Sequence, residues 1–176
     1  LGQQHQLPVI DDIGSGALID FQKFGIQDEP TVAGSIRAGA DLVLFSGDKL
    51  LGGPQCGIIV GRQRWIEKIT KHPLMRALRV DKVTLAGLRA TLQLYRDPET
   101  ACQRVPLLTL LNTSIENLRQ RAERLAPQLN ESAAIKDITV VEDITYLGGG
   151  SVPTQAIATC CLSVASASGS IDALAA

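Results

Sequence analysis

The chain has 176 residues, of which 45% are hydrophobic, and this length and composition suffice for a compact domain with a buried core. Its 17 Lys and Arg residues nearly balance 18 Asp and Glu residues, so the net charge of -1 excludes a chain-wide attraction to DNA or to an acidic membrane. No apolar run approaches the roughly 18 residues of a membrane-spanning helix, so we expect a soluble protein.

The cysteines and histidines indicate the compartment and the metal chemistry. The four cysteines include no C-x-x-C pair and lack the spacing of a small secreted disulfide scaffold, which predicts reduced thiols in a cytoplasmic protein. The two histidines, His5 and His72, are too far from the cysteines in sequence to form a zinc site, so no metal is expected. The first six residues lack the charged and apolar regions of a signal peptide.

The first quarter of the chain predicts the alternation strand, helix, strand. The apolar run at 7–10 ends in two aspartates and G-S-G, a pattern that predicts a buried strand delivering polar side chains into a loop. Residues 31–40 follow a proline and predict a short helix, and D-L-V-L-F at 41–45 predicts a second buried strand. This alternation is typical of an α/β domain.

A glycine-rich turn follows the second predicted strand. The segment S-G-D-K-L-L-G-G-P-Q at 46–55 contains too much glycine for a regular element, and C-G-I-I-V-G at 56–61 predicts the next strand. Lys49 is therefore expected in a turn directly after a buried strand, with Ser46 three positions before it.

Three helices are predicted after this third strand. Helical character over 63–71 is interrupted by a His-Pro pair, and a longer helix begins at Asp81 and closes at an Asp-Pro pair, residues 97 and 98. The clearest amphipathic stretch, with apolar residues at steps of three and four, predicts the third helix over 114–129.

The last part of the chain predicts antiparallel strands. A β-branched run at 138–141, a triple-glycine turn at 148–150 and an Ala, Ser and Cys-rich segment at 156–166 follow the third helix. The order of strands and helices predicts that residues 1–105 form the last part of an α/β domain and that residues 106–176 form a small α+β domain.

Lys49 and Asp12 are candidates for cofactor chemistry. A Schiff-base lysine must reach an aldehyde while neutral, and a confined site disfavours the charged form of an amine. The hydroxyl of Ser46 can bind a cofactor phosphate from the same turn. A pyridoxal ring also needs an acid at its nitrogen. Asp12 is suitably placed for that role, whereas the adjacent Asp11 should point to the opposite face of the strand.

Arg76 and Arg79 are candidates for binding an anion. They stand three positions apart, are expected to share a helix face, and can each donate two parallel hydrogen bonds to a phosphate. Residues 62–104 contain ten Lys or Arg and four Asp or Glu, so the local charge is positive. A phosphorylated substrate or RNA is the expected ligand.

Each of these signals also has a commoner structural explanation. A lysine in a glycine-rich turn is usually solvated, an aspartate before glycine usually caps a turn or helix, and two arginines one turn apart are usually a solvated face. Cys56 lacks a nearby histidine as a base and is expected to be a buried strand cysteine. The S-x-x-K string at 46–49 lacks the other β-lactamase motifs, and no P-loop spacing is present.

Longer strings carry a resemblance to a known family. The segment 46–55 closely resembles the cofactor-lysine motif of bacterial selenocysteine synthases, the L-seryl-tRNA selenium transferases, and D-I-G-S-G at 12–16 is similar to a second motif of that family. The resemblance covers roughly residues 7–153. It continues in order through G-I-I-V-G at 57–61, H-P-L-M-R-A-L-R-V-D-K at 72–82, L-A-G-L-R-A-T-L at 85–92 and G-G-G-S at 148–151.

The resemblance implies a fold-type I pyridoxal-phosphate enzyme, of which the chain supplies the C-terminal part of the large domain and a small domain. It implies that Lys49 is catalytic and binds pyridoxal 5'-phosphate, that Asp12 pairs with the pyridine nitrogen, and that Arg76 and Arg79 bind selenophosphate. The implied reaction converts seryl-tRNA(Sec) to selenocysteinyl-tRNA(Sec), in a homo-oligomer. The match lacks the N-terminal half of the family, which includes its tRNA-binding domain.

Two other functions stay open on the sequence. A related pyridoxal-phosphate lyase, such as an ammonia-lyase acting on a phosphorylated amino sugar acid, keeps the lysine turn, and the arginine pair does not distinguish the two because each substrate supplies an anion. The second alternative is a non-catalytic fragment or paralogue that contributes a binding surface.

Overall fold

The computed structural model describes residues 2–148, 155–170 and 172 and divides the chain into two compact units. The first comprises Leu1–Asn112 with Leu147–Pro153, and the second comprises Thr113–Tyr146 with Thr154–Ala176. Both helices and sheets are present, which confirms the predicted mixed α/β class.

The first unit contains a three-stranded sheet and short helices. The strands lie in the order β1-β2-β3, with β1 parallel to β2 and β2 antiparallel to β3. None of the described helices combines the length and the apolar composition that a membrane span requires. In chain order the elements of this unit are α1 (Gly2–His5), β1 (Ile10–Gly14), a 3-10 helix (Phe21–Phe24), α2 (Val32–Arg37), β2 (Leu42–Ser46), β3 (Gly57–Gly61), α3 (Gln63–Thr70), α4 (Leu74–Leu78), α5 (Lys82–Leu94), α6 (Pro98–Arg104) and α7 (Pro106–Leu111).

Strand β1 lies further along the chain than the predicted strand at 7–10. Leu7 is 65% exposed, and Asp12 lies within the strand rather than after it. The backbone of Val9 is bonded elsewhere, because its N–H donates to Asp41 Oδ2 at 3.0 Å and its carbonyl accepts from Asp41 N at 2.8 Å. The predicted position of this strand is therefore wrong, because the observed strand begins only where the predicted one ends.

Helices α2 and α5 begin at the residues that the sequence indicated. Thr31 Oγ1 and Asp81 Oδ1 each accept a hydrogen bond from the backbone N–H three residues on, at 3.0 and 2.8 Å. Such N-caps typically contribute about 1 kcal/mol to helix stability. Helix α3 also coincides with the helical stretch predicted over 63–71.

Helices α6 and α7 were not predicted. Asp97 does not merely close α5: its carboxylate accepts from Glu99 N and Thr100 N, both at 3.2 Å, and Pro98 is the first residue of α6. Helix α7 belongs to the first unit, where Leu108 is fully buried. The division of the chain therefore falls after Asn112, seven residues beyond the predicted border at 105, because α7 packs against α6.

The core of the first unit surrounds β2 and the turn that follows it. Val43 of β2 and Leu51 of the turn are completely buried, and Leu88 and Tyr95 pack against them. Apolar burial is worth roughly 25 cal/mol per Å², so the burial of this cluster stabilises the unit. The two residues that follow Lys49, Leu50 and Leu51, are thus packed in the core and hold the turn there.

The second unit contains α8 (Ile115–Asn130), β4 (Ile135–Tyr146) and β5 (Ala156–Ser166). Helix α8 has its N-cap at Ser114, the residue from which a helix was predicted, and it packs on the antiparallel pair formed by β4 and β5. Strand β4 extends well beyond the predicted 138–141, because all its residues from Val140 to Tyr146 pair with β5. The G-G-G-S motif lies outside the described residues after Gly148.

Candidate active site

Lys49 lies in the turn that joins β2 to β3, as predicted. Backbone hydrogen bonds close this turn: Gly47 N donates to Cys56 O at 2.8 Å, and Gly52 N donates to Lys49 O at 2.9 Å. The side chain of Lys49 is partly buried, while the next two residues are fully packed into the core. The turn therefore holds the lysine backbone at a defined place at the end of a strand.

The loop after β1 lies against this lysine turn. A Cβ at Gly14 would be 3.7 Å from Lys49 Nζ, so the amine lies beside that glycine. A Cβ at Gly16 would be only 2.7 Å from Ser46 O, and Gly16 has a φ of 75°, so glycine is required by both space and conformation. The motifs D-I-G-S-G and S-G-D-K, 30 residues apart in sequence, therefore meet in space.

Ser15 joins the same two loops and has a hydroxyl without a partner. Its carbonyl accepts a hydrogen bond from Leu50 N at 2.8 Å. Its side chain is only 5% exposed, and Oγ is buried without a hydrogen-bond partner. Leaving a buried polar group unpaired costs about 1–3 kcal/mol. Sequence analysis gave Ser15 no role, although its place between two glycines near Asp12 was a usable signal.

Asp12, Ser46 and Arg79 line one cleft of about 600 Å³ on the first unit. Asp12 is exposed, and its Oδ1 accepts a hydrogen bond from Gly14 N at 3.1 Å. Asp11 is not among the residues that line the cleft, in agreement with the alternation of side chains along a strand. The remaining lining is mainly apolar: Leu44, Phe45, Gly57, Ile58, Ile59, Met75, Leu78, Val80 and Leu85.

Arg76 and Arg79 do not share a helix face, and that prediction is wrong. Helix α4 ends at Leu78, and Arg79 is extended, with a ψ of 139°. Asp81, two residues later, caps α5, so the extended Arg79 belongs to the link between the two helices. Arg79 consequently lines the cleft, whereas Arg76 does not. The anion-binding role of each arginine stays a prediction.

The predicted site residues thus form two neighbouring groups. Asp12, Ser46 and Arg79 share the cleft, and Lys49 does not line it. The amine of Lys49 instead lies beside Gly14, two residues beyond Asp12. Ser46 is the last residue of β2, and the lysine turn follows it directly. The cleft residues and Lys49 are therefore connected along the chain through Ser46.

The thiol of Cys56 lies at the far end of the lysine turn. Burial, and then the charge of Asp48, raise the pKa of this thiol above its ordinary value. Its Sγ lies 3.4 Å from Pro54 O. A raised thiol pKa disfavours the nucleophilic thiolate, which supports a packing role. All four cysteines are free thiols.

Asp41 is a buried charged residue that sequence analysis treated only as the start of an apolar run. The hydrogen bond from the backbone of Val9, followed by its contacts with Arg64 and Arg62, holds the pKa of Asp41 below its ordinary value. The guanidinium nitrogens lie 3.2 and 3.1 Å from Oδ1. Asp41 therefore connects the residue before β1 to the segment that follows β3.

The fold and these two loops define a mixed α/β protein with a lysine turn at the end of a sheet strand. The chain belongs to the L-seryl-tRNA selenium transferase family, whose family model matches residues 1–176. It is 50% identical over 159 residues to the L-seryl-tRNA(Sec) selenium transferase of Alkaliphilus metalliredigens, a match that covers 90% of this chain and 34% of that protein.

Other similar proteins agree with this family. The corresponding enzyme of Nitratidesulfovibrio vulgaris is 48% identical, over 96% of this chain and 36% of its own length. The chain therefore spans about a third of the length of these curated relatives. Among solved structures, a D-glucosaminate-6-phosphate ammonia-lyase matches with a TM-score of 0.54 and 24% identity, over 93% of this chain and 35% of that one, a likeness of fold.

Proposed function

We propose that this chain carries the cofactor lysine of a selenium transferase that converts seryl-tRNA(Sec) to selenocysteinyl-tRNA(Sec) with selenophosphate. The observation that carries the proposal is the meeting of the lysine turn with the loop after β1, in which the amine of Lys49 lies beside Gly14. Membership of the family supports the reaction, and the local geometry supports the role of the lysine.

The residues present fit pyridoxal 5'-phosphate by their chemistry. The cofactor has an aldehyde, a basic ring nitrogen and a phosphate. The first unit offers a primary amine at Lys49, a carboxylate at Asp12 and a hydroxyl at Ser46, with the last two in one cleft. The buried hydroxyl of Ser15 has an unused hydrogen-bonding capacity next to the same turn.

Each residue has a separate task in this proposal. Lys49 would hold the cofactor through its aldehyde, and its amine would move the proton at the α-carbon of the seryl group. Asp12 keeps a proton on the ring nitrogen, and Ser46 binds the phosphate. When bound, pyridoxal phosphate withdraws electrons from the carbon that loses its proton.

Arg79 and Arg76 are proposed to bind the selenophosphate anion. Arg79 is the better placed of the two, because it lines the cleft together with Asp12 and Ser46. The apolar side chains of Met75 and Leu78 lie in the same wall. A guanidinium can donate two parallel hydrogen bonds to the oxygens of such an anion.

The cellular location, the assembly and the domain roles are proposed from family membership and from exposed apolar side chains. We place the protein in the cytoplasm, as part of a homo-oligomer, with the first unit in the large cofactor domain and the second unit in the small domain. Val83 is 82% exposed and Leu78 is 71% exposed, on α5 and α4 respectively. Large apolar side chains that are this exposed would be buried if α4 and α5 were covered in an assembly.

The test is covalent capture of pyridoxal phosphate by Lys49. The protein is mixed with the cofactor, its absorbance spectrum is recorded, and borohydride is added before peptide mass mapping. We expect a cofactor adduct on the peptide that contains Lys49, and none at this position in Lys49→Ala. Lys71→Ala, at an exposed lysine after α3, is the control and should label like the parent chain. Absence of the adduct from the parent chain would contradict the proposal.

A lyase acting on a small phosphorylated amino compound is the weaker candidate, because the similarity to the ammonia-lyase structure concerns the fold alone. Parallel assays separate the two reactions. Selenium incorporation from selenophosphate into seryl-tRNA supports the transferase, whereas turnover of amino sugar acid phosphates alone supports the lyase.

A further inference from the structure

We propose that Tyr95 is a positioning residue for Lys49, and that its hydroxyl holds the lysine turn from the side of α5. This inference rests on the proposed role of Lys49. It assigns a task to the residue at the C-terminal end of α5.

The hydroxyl of Tyr95 reaches the two residues that directly follow Lys49. Tyr95 OH donates a hydrogen bond to Leu51 O at 2.9 Å and lies 3.4 Å from Leu50 O. Both leucine side chains are buried in the core. Tyr95 is the C-cap residue of α5, so one hydrogen bond joins the end of a 13-residue helix to the lysine turn.

The same turn is also held by the loop after β1. Leu50 N donates to Ser15 O, while the carbonyls of Leu50 and Leu51 face the Tyr95 hydroxyl. The peptide groups after Lys49 are therefore bonded to two different elements. Removing the hydroxyl leaves the Leu51 carbonyl without this donor, and the turn loses its hydrogen bond to α5.

The surroundings of Tyr95 keep its hydroxyl protonated. Burial, and to a smaller extent the neighbouring Cys102, raise the pKa of Tyr95 to about 12. A protonated phenol is a hydrogen-bond donor, which the two carbonyl oxygens require. The thiol of Cys102 is itself fixed in place, because Lys23 Nζ donates to its Sγ at 2.6 Å. The hydroxyl therefore stays a donor over the pH range in which a lysine captures an aldehyde.

The effect on the reaction follows from geometry. A reacting group that is displaced by a fraction of an ångström reacts more slowly, because fewer of its conformations are productive. Loss of one ordinary hydrogen bond changes an equilibrium by roughly 2- to 12-fold. We expect a change of about this size in the rate at which Lys49 captures the cofactor, without loss of the reaction itself.

The chain contains a matched control for this test. It has two tyrosines, and Tyr146 lies in β4 of the other unit, where it is 53% exposed. Tyr95→Phe and Tyr146→Phe make the same chemical change. The phenylalanine ring can still pack against the core cluster at position 95, so the first variant isolates the hydroxyl.

The experiment measures amide hydrogen exchange of the segment 47–53 and the rate of borohydride-trapped labelling of Lys49 by pyridoxal phosphate. For Tyr95→Phe we expect faster exchange confined to this segment and labelling about 2- to 12-fold slower. Tyr146→Phe should match the parent chain in both. Unchanged exchange and labelling in Tyr95→Phe would overturn the proposal.

A further variant separates positioning from general stability. Tyr95→Leu also removes the ring and should lower the melting temperature more than Tyr95→Phe. If the labelling rate of the two variants follows the melting temperature instead of the loss of the hydroxyl, Tyr95 is only structural. If the parent chain fails to label, the proposed function fails. The exchange of segment 47–53 then still reports whether Tyr95 holds the turn.

Discussion

The backbone N–H of Gly47 donates to the carbonyl oxygen of Cys56 at 2.8 Å, and a Cβ at Gly47 would lie 2.5 Å from Cys56 Sγ and 2.6 Å from Pro54 O. The entry and the exit of the lysine turn are therefore in direct contact. No side chain fits at position 47 unless the turn opens. The turn that positions Lys49 therefore requires a glycine at position 47.

Gly47→Ala should lower the stability of the chain by about 1–3 kcal/mol, because the new methyl group has to displace backbone and a packed thiol. Urea denaturation measures this change. Gly57→Ala is the control, since a Cβ at Gly57 meets nothing within 4 Å. Equal stability of the two variants would show that the turn accommodates a side chain at position 47.

Arg79→Ala should weaken the binding of inorganic phosphate by about 10-fold or more, as expected for the loss of a charged hydrogen-bond donor. Arg76→Ala should have a smaller effect, because Arg76 does not line the cleft. Isothermal titration calorimetry of both variants makes the comparison. A larger loss for Arg76→Ala would place the anion outside the cleft that Arg79 lines.

Asp12→Asn should raise the dissociation constant of pyridoxal phosphate by about 10-fold, since an amide cannot form the charged hydrogen bond to a protonated ring nitrogen. Absorbance titration gives the constant for each variant. Asp11→Asn, the same change one position earlier and outside the cleft, should bind like the parent chain. If Asp11→Asn weakens cofactor binding and Asp12→Asn does not, the assignment of Asp12 is wrong.

Asp41 should make the stability of the first unit depend on pH in the acidic range. Its pKa is held down in the folded chain by the Val9 N–H and then by Arg64 and Arg62. An unfolded aspartate has a pKa of about 3.9, so this stabilisation is complete above that value and is lost as the pH falls through the lower folded value.

The check for Asp41 is urea unfolding of the parent chain and of Asp41→Asn between about pH 3 and 6, around the unfolded pKa. The difference in the free energy of unfolding should shrink as the pH falls, because a protonated aspartate resembles asparagine. A difference that stays constant over this range would mean that the carboxylate charge contributes nothing.

Local patterns in the sequence predicted the elements that depend on near neighbours. The caps at Thr31, Asp81 and Ser114 use hydrogen bonds that span three residues, so residue type and spacing were sufficient. Lys49 was placed correctly because glycines around a polar segment between two apolar runs indicate a turn. Asp97 was misread, since an Asp-Pro pair can end one helix and begin the next, and here it does both.

The amino-acid sequence by itself determined the lysine turn, four of the helices (α2, α3, α5 and α8) and the family, because each depends on local spacing or on the order of motifs along one chain. The tertiary structure alone decided where β1 begins, which arginine reaches the cleft and what surrounds the turn. Those features depend on contacts between distant residues, such as Asp41 with Val9 and Tyr95 with Leu51. Such long-range hydrogen bonds leave no periodic signal in the sequence.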